Sequence, residues 1–165
     1  MKAIIVYESF WGNTAAVARA IAEGLGPGAR AVSTAEARDA ALAGVDLIVA
    51  GAPLVTFRVP SDKIIEMIRQ GADKRKKAPD LTPPSMRSWY ESLPRGSGRA
   101  AAFETRLWWS PGSAKRAILR GLVKAGYAPL AKPRGFVVKG QYGPLRDGEL
   151  EKARLWGAEL ARSLG

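Results

Sequence analysis

Two kinds of apolar spacing alternate along the chain. Short unbroken apolar runs, the pattern of a strand covered on both faces, give way to stretches in which apolar residues recur every three or four positions, the period of a helix lying on a sheet. The runs predict strands at Lys2–Tyr7, Ala29–Ser33, Val45–Gly51, Arg99–Phe103 and Gly135–Gly140. The helical spacing predicts a first helix over Thr14–Leu25, with Val17, Ile21 and Leu25 on one stripe and Gly24, Gly26, Pro27 and Gly28 ending it. It predicts further helices over Ala35–Ala43, from an N-cap at Ser61 to Gln70 with Ile64, Ile65 and Ile68 inward, and over Ser113–Ala125. The last runs from Gly148 to Leu164, capped by Asp147, with Glu149 and Glu151 placed to complement the positive end of the helix dipole. From Gly71 to Gly98 the pattern loosens around Pro79, Pro83, Pro84 and Pro94, and only Ser85–Leu93 reads as helix. A gap of this size in a compact domain predicts a surface excursion, a lid or a docking element.

Strict alternation of strands and helices predicts an α/β fold in which a parallel sheet is wound with helices on both faces. Such sheets bind ligands beyond the carboxyl ends of their strands, so the loops after the first, third and fourth strands are the functional candidates. No internal repeat is present, and 165 residues with 47% hydrophobic content predict one domain with one good core.

Composition narrows the chemistry. Without cysteine or histidine the chain has no disulfide, thiol nucleophile, Ser-His-Asp triad or common zinc or haem ligand set, so redox or catalytic chemistry has to come from a cofactor. The first apolar run is too short for a signal peptide, and the apolar stretch from Ala40 to Val55 is broken by Gly44, Asp46, Gly51 and Pro53, which predicts a cytoplasmic protein without a membrane span. A formal charge of +11 predicts attraction to acidic partners. The densest basic cluster, Lys74-Arg75-Lys76-Lys77, reads as a solvated loop, with a docking patch as the alternative.

The chemistry concentrates in YESFWGNTAAVARAI, Tyr7 to Ile21. Here a strand runs into a short hydroxyl-bearing loop and at once into a helix, so that free backbone N–H groups and the helix dipole converge on one point, the arrangement that binds a phosphate. Ser9 and Thr14 offer hydroxyls, and Gly12 lets the backbone approach a ligand. The alternative for both hydroxyls is helix capping. No Gly-x-Gly-x-x-Gly is present, which disfavours a Rossmann dinucleotide site.

At these positions the sequence resembles the flavodoxin family. Ile5, Val6, Tyr7, Ser9, Gly12, Thr14, Ala18 and Ile21 fill in order the constrained places of the family's phosphate-loop signature. Gly51-Ala52-Pro53, Phe103-Glu104-Thr105-Arg106 and Gly143-Pro144-Leu145 ahead of Trp156-Gly157 extend the likeness over nearly the whole chain. The resemblance implies a flavodoxin-like doubly wound three-layer sandwich, with a five-stranded parallel sheet in the order 2-1-3-4-5 and an enlarged loop around residues 71–98.

It also implies FMN. The phosphate would lie on Ser9, Phe10, Trp11, Gly12, Asn13 and Thr14. The ring would lie between Pro53, Leu54, Val55, Thr56 and Phe57 on one side and Glu104, Thr105, Arg106, Leu107, Trp108 and Trp109 on the other, with Gly112 at its edge. Phe57 and one of the two tryptophans are the candidates to stack on the flavin. The implied function is electron transfer between redox protein partners. Two alternatives remain: an FMN-dependent oxidoreductase of the same fold acting on a quinone or porphyrinogen, and a flavin-free basic module that engages nucleic acid or an acidic protein. The chain departs from the family in three respects. It is basic where flavodoxins are usually acidic, it has no glycine between Pro53 and Val59, and its extra length precedes the fourth strand and leaves the fifth uninterrupted.

Overall fold

The computed structural model describes residues 1–73 and 76–165, apart from the side chain of Ala40; Lys74 and Arg75, half of the basic cluster, lie outside the described residues. The sheet is built from β1 (Ala3–Tyr7), β2 (Ala29–Ser33), β3 (Leu47–Pro53), β4 (Arg99–Leu107), β5 (Ala128–Pro129) and β6 (Arg134–Val138). All its ladders are parallel, in the order β2-β1-β3-β4-β5, with β6 also paired to β4. The helices are α1 (Asn13–Leu25), α2 (Asp39–Leu42), α3 (Asp62–Gln70), α4 (Met86–Glu91), α5 (Lys115–Lys124) and α6 (Glu149–Leu164).

Alternation along the strands divides the core in two. Ala3, Ile5, Leu47, Val49, Ala101 and Phe103 face α1 and α6, where they meet Val17, Ile21, Trp156 and Leu160. Ile4, Val6, Ile48, Ala50, Ala100 and Ala102 face the other way, onto Met86 and Trp89 of α4 and Ile118 and Leu122 of α5. Both faces are buried, which is why the strands read as continuous apolar runs.

Several elements differ from the sequence reading. The fifth position of the sheet is shared by two strands: β5 pairs with Arg99 and Ala100 of β4, and β6 pairs with Phe103 to Leu107. The expected fifth strand at Gly135–Gly140 is present as β6, and β5 is an additional short strand ahead of it. A two-residue strand ending in Pro129 is too short to leave a pattern. β3 and β4 run to Pro53 and Leu107, beyond Gly51 and Phe103, because each continues to pair with its neighbour.

The expected helix over Ala35–Ala43 shrinks to α2. A turn precedes it, in which Glu36 accepts from the N–H and hydroxyl of Ser33 and the Trp89 indole donates to the Ala37 carbonyl. Gly24 lies inside α1 and does not end it. A Cβ there would fall 1.9 Å from the Arg154 carbonyl oxygen of α6, and one on Gly157 would fall 2.2 Å from the Ile21 carbonyl oxygen, so the paired glycines let the two helices touch backbone to backbone. The N-cap of α6 is Gly148, with no side-chain cap; Asp147 faces Lys139 at 3.5 Å. Buried Glu149 accepts instead from the Val137 N–H at 3.0 Å and ties the helix start to β6. Ser61 and Ser85 do cap α3 and α4, by accepting from Ile64 and Ser88.

Candidate functional site

At the carboxyl ends of β1, β3 and β4 lies a cavity of about 420 Å³. Its walls include Ser9, Phe10, Trp11, Asn13 and Thr14 from the loop after β1, Pro53 to Phe57 after β3, and Thr105, Arg106, Leu107 and Trp109 at the end of β4. A volume of this size is typical of a small-molecule or cofactor site.

The loop between β1 and α1 is set by Gly12. It is the N-cap of α1, at φ 96°, and its N–H donates to Ser9 Oγ at 3.1 Å. This left-handed conformation favours glycine. Thr14 is not the helix cap that the capping alternative requires. Its buried hydroxyl meets that of Thr105, also buried, at 2.8 Å. Two hydroxyls carry two hydrogens and only one is used between them, so the pair retains a donor, and both residues line the cavity. The N–H groups of Asn13, Thr14 and Ala15 open the first turn of α1, where an α-helix supplies no internal acceptor. The Trp11 indole N–H is buried without an acceptor, while its ring sits edge-on to Phe10 and Tyr142 at 5.7 and 5.1 Å.

The wall after β3 is a two-residue hairpin. Val55 and Arg58 exchange both backbone hydrogen bonds, at 3.1 and 3.2 Å. Thr56 and Phe57 between them have φ of 50° and 70°. A turn with two left-handed residues ordinarily takes Asn and Gly, and β-branched Thr fits it poorly. The glycine missing from this segment is replaced by backbone strain. Across the cavity mouth Gly112, at φ 89°, packs on that hairpin: a Cβ would lie 2.3 Å from the Phe57 carbonyl oxygen, which accepts from the Ser113 N–H at 3.3 Å.

Glu104 points to the other side of β4. Fully buried, it accepts from Arg106 Nη1 and Lys115 Nζ, each at 2.8 Å, and from the N–H groups of Ala114 and Lys115 at 2.7 and 3.0 Å. Burial pushes its carboxyl up, but the bonds and charge of Lys115 and the Ala114 N–H outweigh it and hold the group below its ordinary 4.5. The Arg106 guanidinium also closes the following loop by donating to the carbonyls of Ser110 and Gly112. Glu104, Trp108, Gly12 and Gly112 are therefore off the cavity wall, and the other expected residues are on it. Trp108 is 73% exposed; Trp109, the tryptophan on the wall, is 62% exposed.

The wall also holds Ile68 of α3, Ser110, Val138 and Gln141. The apolar stripe of α3 was legible, but not that it leaves Ile68 at the site. Glu8, one residue ahead of the wall's Ser9, does not line the cavity. Its buried carboxyl accepts from the Met86 N–H at 3.0 Å, and burial raises it to about 7, with the Met86 bond opposing and the charge of Asp62 adding. No group of acidic residues among those described is arranged to hold a metal ion.

No family model and no curated protein sequence matches the chain. Solved structures do. A flavodoxin from the domain Archaea superposes with a TM-score of 0.67 at 21% identity over 99% of both chains. Oxidised flavodoxin 1 from Bacillus cereus gives 0.63 at 18% over 98% of both. A flavodoxin, WrbA-like protein from Agrobacterium tumefaciens gives 0.61 at 19%, covering 99% of this chain and 96% of its own.

Proposed function

The chain has the flavodoxin-like fold, and we propose that it is a single domain that binds FMN in the cavity and carries electrons between redox protein partners in the cytoplasm. The observation that carries this reading is the junction of two unlike surfaces in one cavity: a helix-start loop rich in free donors, and an apolar slot between the ends of β3 and β4. The first suits a phosphomonoester and the second a planar ring. The spare Thr14–Thr105 hydrogen and the unpaired Trp11 indole N–H are buried donors whose acceptor a ribityl phosphate would supply.

When bound, FMN supplies one- and two-electron chemistry, and the protein supplies binding and orientation. The α1 amides and the two threonines would hold the phosphate end. Leu54, Val55, Phe57 and Trp109 would bound the ring and keep water from its face. Glu104 keeps Arg106 in place, and Arg106 holds the 107–112 loop through the Ser110 and Gly112 carbonyls. No described helix is long and apolar enough to cross a membrane.

The exposure of Phe57, Trp108 and Trp109 leaves the rim open and favours, as a second reading, an FMN-dependent oxidoreductase acting on a quinone or porphyrinogen. Absorption spectra of the purified protein before and after added FMN, followed by titrations with FMN and riboflavin, test the first reading. FMN is expected to bind far more tightly, because each charge-assisted bond to the phosphate is worth roughly 1.5 to 3 kcal/mol. Equal affinities for the two flavins would remove the argument. Steady-state turnover with NAD(P)H and a quinone distinguishes enzyme from carrier.

A further inference from the structure

The part of segment 71–98 from Lys77 to Met86 does not project away from the sheet. It lies on the loop after β1 and touches it repeatedly. Lys77 Nζ donates to the Trp11 carbonyl at 2.8 Å, the Asp80 N–H to the Phe10 carbonyl at 2.8 Å, and the Met86 N–H to the Glu8 carboxylate at 3.0 Å. The Lys77 ammonium is also 3.5 Å from the point a Cβ on Gly12 would occupy. Next to it, Lys76 lies 5.0 Å from the centre of the Tyr142 ring, which packs on Trp11.

Two consequences follow for the loop. Ser9 to Thr14 contains no charged side chain, and Lys77 brings a cation to it from 66 residues away. The Trp11–Gly12 peptide is also held at both ends, its carbonyl by Lys77 and its N–H by Ser9 Oγ. That peptide immediately precedes the amides that open α1, so fixing its plane fixes the direction in which they point.

We propose that Lys77 is a specificity-determining residue of this loop, its ammonium favouring a doubly charged phosphomonoester over an uncharged ligand and orienting the peptide that leads into α1. The inference rests on the FMN reading for the identity of the ligand, while the anion preference is a property of the loop itself. Lys77 is exposed and does not line the cavity, so the field of its ammonium is partly screened and weakens with salt. The segment thus acts as a strap, adding to the phosphate site a charge that the loop sequence lacks.

The test compares wild type, Lys77→Gln and Lys77→Arg. FMN and riboflavin affinities are measured at low and high salt, and the melting temperature is measured in inorganic phosphate against chloride at equal ionic strength. Lys77→Gln is expected to lower FMN affinity about two- to fivefold at low salt, with riboflavin affinity unchanged. Lys77→Arg should retain most of the wild-type ratio, and high salt should shrink the difference between wild type and Lys77→Gln. Inorganic phosphate should stabilise wild type and Lys77→Arg more than Lys77→Gln. An FMN-to-riboflavin ratio identical in wild type and Lys77→Gln, or an equal loss of both flavins, overturns the proposal and leaves Lys77 a structural tie. If wild type binds neither flavin but keeps a phosphate stabilisation that Lys77→Gln loses, the FMN reading fails while the role of Lys77 stands.

Discussion

Two buried carboxyls, Glu8 and Glu104, flank the cavity and show how neighbours decide what burial does to a charge. Glu104 has two cations and two helix-start amides, and ionises more readily than usual; Glu8 has one amide, and burial dominates. The sign for Glu8 follows from its raised value. Unfolded it ionises near 4.5, folded near 7, so the folded chain holds an extra proton between those values. Stability from this group is fully present below 4.5, falls as pH rises to about 7, and then levels off. The full loss is roughly 3 kcal/mol at 1.36 kcal/mol per pKa unit. Glu8→Gln keeps an acceptor for the Met86 N–H and removes the charge. Denaturant titrations should therefore find it more stable than wild type by about 2 to 3 kcal/mol at pH 8 and nearly equal at pH 4.5; an equal effect at both values would mean that Glu8 ionises normally. Glu104 has the opposite sign, its contribution present above 4.5 and lost as pH falls through its lowered value. Because Arg106 and Lys115 are each about one-fifth exposed, Glu104→Gln should cost roughly 2 to 3 kcal/mol at pH 7, less than a fully enclosed pair, and loosen the 107–112 loop. Urea midpoints at pH 7 and proteolysis within that loop check both parts.

Among the elements, the α1–α6 contact and the hairpin after β3 make opposite demands on glycine. Gly24→Ala improves helix propensity by about 1 kcal/mol yet drives a methyl into the Arg154 carbonyl. A net loss of roughly 1 to 3 kcal/mol is expected for it and for Gly157→Ala, measured as a lowered denaturation midpoint. In the hairpin glycine is missing where the backbone asks for it, and Thr56→Gly should stabilise the protein by about 1 kcal/mol by relieving a left-handed threonine. A drop in stability on that change would mean that Thr56 makes contacts outweighing its strain. These elements also mark how far the sequence could be read. Ile64, Ile65 and Ile68 revealed α3 and its cap at Ser61 because both signals are local. The Pro53–Phe57 segment was legible as a candidate wall, but its hairpin was not, since Thr-Phe is not a recognised turn pair. The buried role of Gly24 was hidden because a glycine near a helix end normally signals termination, and only the approach of α6 from far along the chain changes its meaning. Lys77 was read as part of a solvated cluster because nothing near it in sequence announces the loop it meets.

For the whole molecule, the doubly wound parallel sheet was legible from alternation and handedness and its strand order from the family resemblance, whereas the placing of charge around the cavity depends on which side chains pair. The chain carries +11, yet the charge beside the site is much smaller: Glu104 offsets one of Arg106 and Lys115, leaving one positive charge from those three groups. Arg58, exposed at the end of the hairpin, adds another. Positive charge near a bound flavin eases electron uptake. A unit charge about 10 Å away contributes about 0.4 kcal/mol at the dielectric of water and about 1.7 kcal/mol at an effective value of 20. At 59 mV per 1.36 kcal/mol for one electron, this is roughly 20 to 70 mV per cation, with exposed Arg58 at the lower end. Arg58→Gln in the FMN-loaded protein should lower the one-electron potential by about 20 mV at low salt and by less in high salt. Arg106→Gln is the poorer probe, because it also frees Glu104 and the 107–112 loop and thus mixes geometry with charge. Redox titrations of wild type and Arg58→Gln at two salt concentrations decide the matter. Equal potentials that salt does not move would mean that the strained hairpin and the cavity wall set the couple, and that the positive surface acts only in meeting partners.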